Sequence, residues 1–160
     1  MSKIKKFSPL RIIKGSKKEK TADLINKFIT SLKLDPKKCL TDSNEKFKRW
    51  CFEFEKEKEL EIILEKGNSE ALNTIYMGLN VCLVPLKDLN NFLLSALEIA
   101  DGLIGLKVSI VGHHLVLSTC IDTFSLTVKE IEYYYQMMLE QEIWYIDQLI
   151  EHLDLDYLQD

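Results

Sequence analysis

The stretch RWCFEFEKEKELEIILEKG, Arg49 to Gly67, alternates apolar and polar side chains on both sides of a charged break. Trp50, Phe52 and Phe54 point one way, and Arg49, Cys51, Glu53 and Glu55 point the other. Leu60, Ile62 and Leu64 repeat the pattern, with Glu61 and Glu65 outward. Successive side chains on a strand face opposite sides of a sheet, so this spacing predicts two half-buried strands. Lys56–Glu59 forms the turn between them, and Gly67-Asn68 closes the second. A third run, Ile75, Met77, Leu79, Val81 and Leu83, ends at Pro85. Together they make an antiparallel meander with one face buried.

Downstream the period changes. From Leu86 to Ala100, Leu89, Phe92, Leu93, Ala96, Leu97 and Ala100 recur at helical spacing, and Asp101-Gly102 supplies the stop. Leu106, Val108 and Ile110 begin a strand, Gly112-His113 turns it, and Leu115–Ile121 returns. Thr127 and Glu130 have the T-x-x-E spacing of a capping box. Behind them runs a long helix to Leu153, with Tyr135, Leu139, Ile143, Ile146, Ile150 and Leu153 expected on one side. Upstream, Leu24, Ile25, Phe28, Ile29 and Leu32 predict a helix from Thr21, ended by Asp35-Pro36. Lys37–Lys46 is expected to be polar connector. The predicted order is α-β-β-β-α-β-β-α, an α+β fold in which helices cover an antiparallel sheet.

At 160 residues the chain suits one domain with a real core. Residues 21–160 are expected to form it, preceded by a basic, flexible arm over residues 1–20. Apolar residues make up 46% and charged residues 29%, the balance of a soluble globular protein. No apolar run approaches the roughly 18 residues of a membrane span. The N-terminal apolar pieces are too short for a secretory signal, so a cytoplasmic location is expected. Four cysteines, Cys39, Cys51, Cys82 and Cys120, lie far apart and lack metal-ligand spacing. Buried, reduced thiols are the expectation.

The net charge of −4 hides a polarity. Residues 1–58 carry 17 Lys/Arg against 8 Asp/Glu, whereas residues 59–160 carry 4 against 17. Such separation orients partners. The arm holds Lys3, Lys5, Lys6, Arg11, Lys14, Lys17, Lys18 and Lys20, which offers an alternative role on nucleic acid or an anionic surface. The acidic remainder of the chain argues against it.

Catalytic chemistry is not evident. His113 and His114 are neighbours and would face opposite sides of a strand; an exposed hairpin tip suits them better than a metal or catalytic site. Glu140, Glu142 and Asp147 are expected on a solvated helix face. No nucleophile elbow, phosphate loop or dinucleotide fingerprint occurs, so no cofactor or metal is expected and the chain reads as a non-enzyme. The aromatic group Tyr133, Tyr134, Tyr135, Trp144 and Tyr145 exceeds what one core face needs, which places part of it either exposed or at an interface, or in an amphipathic rim around the core.

Three stretches resemble the superfamily of class I type III secretion chaperones and YbjN-domain proteins. Arg49–Gly67 is similar to the first two strands of that family. LNVCLVPLKDLNNFLLSALEIADGLIGLKVSIVGHHLVLSTCID, Leu79 to Asp122, resembles its strand, helix and strand pair. LTVKEIEYYYQMMLEQEIWYIDQLIEHL, Leu126 to Leu153, resembles its closing helix. The likeness covers about residues 21–153 and leaves out the basic arm. The secretion-chaperone side implies a homodimer that holds an extended segment of a client protein; the YbjN side implies a regulatory or stress role. Carried to this chain, the resemblance puts a client groove at Leu24, Ile25, Phe28, Leu32, Phe52, Phe54, Ile62 and Leu64. It puts a dimer surface at Leu89, Phe92, Leu93, Leu97, Ile110 and Leu117. An edge strand beside apolar pockets is a physical means of gripping an extended peptide.

Overall fold

Strand pairing fixes the architecture. The computed structural model describes residues 20–54, 58–69 and 72–153. Within them the order is α1 (Thr21–Ser31), α2 (Pro36–Cys39), β1 (Leu40–Ser43), β2 (Phe47–Phe54), β3 (Lys58–Glu65), β4 (Thr74–Leu83), α3 (Leu89–Ala100), β5 (Lys107–Val111), β6 (His114–Asp122) and α4 (Val128–Leu153). Six strands form one antiparallel sheet in the order β1-β2-β3-β4-β6-β5. The α+β class, the meander and the helix covering of the sheet are as the sequence predicts. The basic residues Lys3, Lys5, Lys6, Arg11, Lys14, Lys17 and Lys18 lie outside the described residues. Lys20 is exposed at the start of α1.

The meander register puts Trp50 opposite Ile62 and Phe52 opposite Leu60, with Ile62 opposite Met77 and Leu60 opposite Leu79. These form one apolar row facing the helices. α1 and the first half of α4 close over it, forming a cluster that includes Ile25, Phe28, Trp50, Ile62, Met77, Ile131, Tyr135 and Met138. A second cluster joins α3 to the far half of α4 through Phe92, Ala96, Ile99, Leu115, Leu117, Tyr145 and Leu149. The Tyr145 hydroxyl donates to the Ala96 carbonyl at 2.7 Å, tying α3 to α4 inside this second cluster.

Four sequence expectations are corrected. The supposed connector Lys37–Lys46 contains most of α2 and all of β1. Asp35-Pro36 does end α1, but it also starts α2. The Asp35 carboxylate accepts the Lys37 N–H at 3.0 Å, and Pro36 occupies the first turn, where no N–H is needed. The run Ile75–Leu83 does not keep one alternation, because the register slips between Asn80 and Cys82. After that bulge Cys82 packs on the α3–α4 cluster, and Leu83 is 62% exposed. The inward face of α4 is Ile131, Tyr135, Met138, Glu142, Tyr145 and Leu149, not the stripe through Ile143 and Ile150. Glu142 is fully buried and Ile143 is 58% exposed. The helix turns a carboxylate inward because Lys58 of β3 meets it, Nζ to Oε2, at 2.6 Å.

The capping box forms as predicted. Thr127 N–H donates to Glu130 Oε2 at 2.7 Å, and Glu130 N–H donates back to Thr127 Oγ1 at 3.3 Å.

The fourth correction concerns the thiols. Cys120 is exposed, while Cys39 is buried and Cys51 and Cys82 are half-buried, all four free. On the sheet face away from the helices, the Cys51 thiol donates to Glu59 Oε1, and Asn80 donates to Glu59 Oε2 at 3.2 Å. Burial and then the Glu59 carboxylate push the Cys51 thiol up to about 12, and burial beside Glu142 pushes Cys82 up to about 11. Burial also raises Cys39, with Asp35 adding to it. The thiolate is the reactive form. At pH 8 an alkylating reagent should therefore modify Cys120 quickly and the other three only on unfolding. Peptide mapping by mass spectrometry checks this, and rapid labelling of Cys51 or Cys82 in the native protein would contradict it. Raised thiols keep their protons in the fold while the unfolded chain loses them above about pH 9. Their stabilising effect is thus present below that pH and is lost as pH rises through 11 and 12.

A candidate protein-binding surface

Helix α3 follows directly from the leucines of its sequence. Phe92, Ser95, Ala96 and Ile99 turn inward. That leaves Leu89, Leu94 and Leu97 outward at 40%, 62% and 63% exposure, with Leu93 half-buried between the two sides. The patch continues onto strand β5, where Ile110 is 47% exposed on the helix side of the sheet. Around the strand end, Leu83 and Val111 pair with the two sides of His114, bringing two further exposed apolar residues together on the opposite sheet face. β5 is an edge strand whose described partner is β6 alone. An unpaired strand edge beside a run of exposed leucines is a surface that favours contact with another chain.

The predicted dimer residues divide accordingly. Leu89, Leu97 and Ile110 lie open on this surface, and Leu93 contributes an edge. Phe92 and Leu117 are core beneath it, 2% and 0% exposed. Leu94, absent from the predicted set, belongs to the same surface, and Leu83 and Val111 adjoin it around the strand end. Leu94 could have been found as the i−3 neighbour of Leu97, on the flank away from Phe92.

All eight predicted groove residues meet in the cluster of α1, β2, β3 and α4. Five of them, Ile25, Phe28, Phe52, Ile62 and Leu64, are buried in it. Leu24, Leu32 and Phe54 are partly buried and pack on its rim. The cluster is pinned by aromatics: Tyr135 meets Phe28 and Phe54 edge-on, with ring centroids 5.4 and 5.5 Å apart. Beside this rim lies the other sheet edge, β1, with all four residues exposed and a bulge between Leu40 and Asp42.

Other sites are weak. His113 and His114 are exposed at the β5–β6 turn, where Gly112 takes a φ of 63°. No group of three or more His, Cys, Asp or Glu among the described residues is placed to hold a metal ion. Among the described residues, two shallow clefts of about 290 and 260 Å³, one beside Asn73 and Ile121 and one beside Gly102 and Trp144, fall just short of the roughly 300–1,000 Å³ typical of small-molecule pockets. No described helix is long and apolar enough to cross a membrane.

No protein-family model matches the chain, and no curated protein matches it in sequence. Among solved structures it is similar to the crystal structure of the ExsC–ExsE complex, at TM-score 0.56 and 13% identity. That match covers 78% of this chain and 89% of the other. It also matches the HopA1–SchA chaperone–effector complex at TM-score 0.48 and 16% identity, over 77% of this chain and 90% of that one. The first likeness carries the fold. The architecture is that of the class I type III secretion chaperones which the sequence resembles.

Proposed function

We propose that this chain is a non-catalytic, chaperone-like adaptor that holds an extended segment of a client protein and works as a homodimer. The observation that carries the reading is the open leucine face of α3 beside the edge strand β5. A face of this kind suits a self-complementary contact, because a two-fold axis places one patch against its own copy. The far edge of the sheet is then left for the client. There β1 has backbone unpaired among the described residues, and Leu24, Leu32 and Phe54 offer partly buried apolar side chains. Similarity of fold to a structure of a two-protein complex supports the reading.

Light scattering on the full chain tests the assembly. The expected mass is about twice 18.6 kDa, and Leu94→Glu with Leu97→Glu is expected to yield the monomer with its fold retained by circular dichroism. A wild-type monomer at micromolar concentration sinks the homodimer. Client holding is tested by trapping co-purified protein and digesting it with protease. A protected, non-globular segment is expected, lost on Leu32→Asp. Protection of a whole folded domain, or unchanged protection in Leu32→Asp, refutes the groove.

A further inference from the structure

The outer side of α4 carries an apolar feature used by neither cluster nor by the α3 face. With Met138, Glu142 and Tyr145 turned inward, Glu140, Ile143, Trp144, Asp147 and Glu151 point away from the sheet. Ile143 and Trp144 are 58% and 40% exposed, and along the helix they are bracketed by Glu140 and Asp147. Neither of those carboxylates is paired with a cation among the described residues. Trp144 is held in place: its ring packs so closely on Gly102 that a Cβ there would collide with it.

Helix α1 delivers the start of the chain to this place. The Ser31 hydroxyl donates to Glu132 at 3.2 Å, and Phe28 packs on Tyr135, so α1 runs antiparallel to α4. Thr21, ten residues back from Ser31 or about 15 Å at 1.5 Å per residue, therefore lies alongside α4 near the level of Glu142. Residues 1–19 lead into that point. They contain Leu10-Arg11-Ile12-Ile13-Lys14, an apolar pair bracketed by two cations. The chain from Lys14 to Lys20 can extend about 23 Å, enough to pass around a helix roughly 10–12 Å across.

We propose that the Arg11–Lys14 segment docks on the outer face of α4 of its own chain. Ile12 and Ile13 cover Ile143 and Trp144, and Arg11 and Lys14 pair with Glu140 and Asp147. The occupant follows from charge complementarity, from the matching order of charged and apolar residues, and from the exit point of the arm. Docked in this way, the arm is withheld from phosphates and anionic surfaces. The proposal stands apart from the client and dimer reading, since its test needs neither.

Acrylamide quenching of tryptophan fluorescence in the full chain is the test. Trp50 is 1% exposed, so the quenchable signal belongs to Trp144. Arg11→Glu with Lys14→Glu is expected to raise the quenching constant roughly twofold, as an aromatic face is uncovered. Glu140→Lys with Asp147→Lys should do the same, and all four substitutions together should restore the wild-type value. In wild type, quenching should rise with salt as screening tightens toward a Debye length of about 3 Å near 1 M. Glu140 and Asp147 belong to neither cluster, and circular dichroism on each variant checks that folding is retained. Equal quenching in wild type and Arg11→Glu/Lys14→Glu overturns the proposal, as does failure of the fourfold swap to restore it. Quenching that depends on protein concentration but not on Arg11 and Lys14 would give the face to a second copy. Loss of binding to anionic vesicles without a change in quenching would give the arm to that surface instead.

Discussion

Lys58→Met is expected to destabilise the protein by about 3 kcal/mol, the lower end of the cost when a buried ion pair loses one partner. Glu142 has no exposed surface, and its Oε1 lacks a hydrogen-bond partner, so the contact from Lys58 Nζ to Oε2 is its principal compensation. Lys58 keeps 32% of its side-chain surface in water, and that exposure holds the loss to the low end. In a chain of this size a loss of about 3 kcal/mol lowers Tm by roughly 6–12 °C. The companion experiment is Lys58→Met with Glu142→Leu. Removing both charges is expected to return stability to the wild-type level or above it, since apolar replacements of buried pairs are often neutral or stabilising by about 1–4 kcal/mol. Urea unfolding of the three variants checks the cycle. A single-variant loss below about 1 kcal/mol would mean that water screens the pair as it does at a surface.

Phe28→Ala is expected to cost about 3–5 kcal/mol, the range for emptying a fully buried aromatic site. The ring is fully buried and sits edge-on to Tyr135, which also meets Phe54, so its loss opens a cavity at the α1–β2–α4 junction. This separates two explanations for any loss of client binding. In Phe28→Ala, binding and folding should fail together. In Leu32→Asp, on the rim, binding should fail while the loss of stability stays well below that of Phe28→Ala. Denaturation and binding measured on the same preparations decide it. A stable Phe28→Ala protein that no longer holds client would move the contact surface from the rim into the present core.

Residues with a simple period were legible in the sequence. β2, β3 and most of β4 follow from alternation, and α3 and the start of α4 follow from helical spacing and the Thr127–Glu130 box. Elements without a period were not. α2 and β1 have four residues each, and in so short a span neither 3.6 nor 2 can be recognised. The bulge near Cys82 and the inward Glu142 were missed for a different reason. Each depends on a partner far away in the chain, β6 for one and Lys58 for the other. The α3 surface was half legible: its leucines stood out, but the sequence did not separate Leu97, which is open, from Phe92 and Leu117, which are covered. That division depends on where α3 lands on the sheet.

The buried carboxylate on α4 has a consequence for how the molecule tolerates change. It falls between Met138, which belongs to the first cluster, and Tyr145, which belongs to the second, and the two clusters have no buried residue in common. α4 thus works like a beam with an expansion joint, bridged by Leu106, which packs on both clusters, and by the Leu79–Leu117 pair on the sheet. Substitutions at the two ends, away from those bridges, are expected to add in energy. A lineage could vary the α3 end and the α1 end separately, refitting one surface without having to rebuild the other.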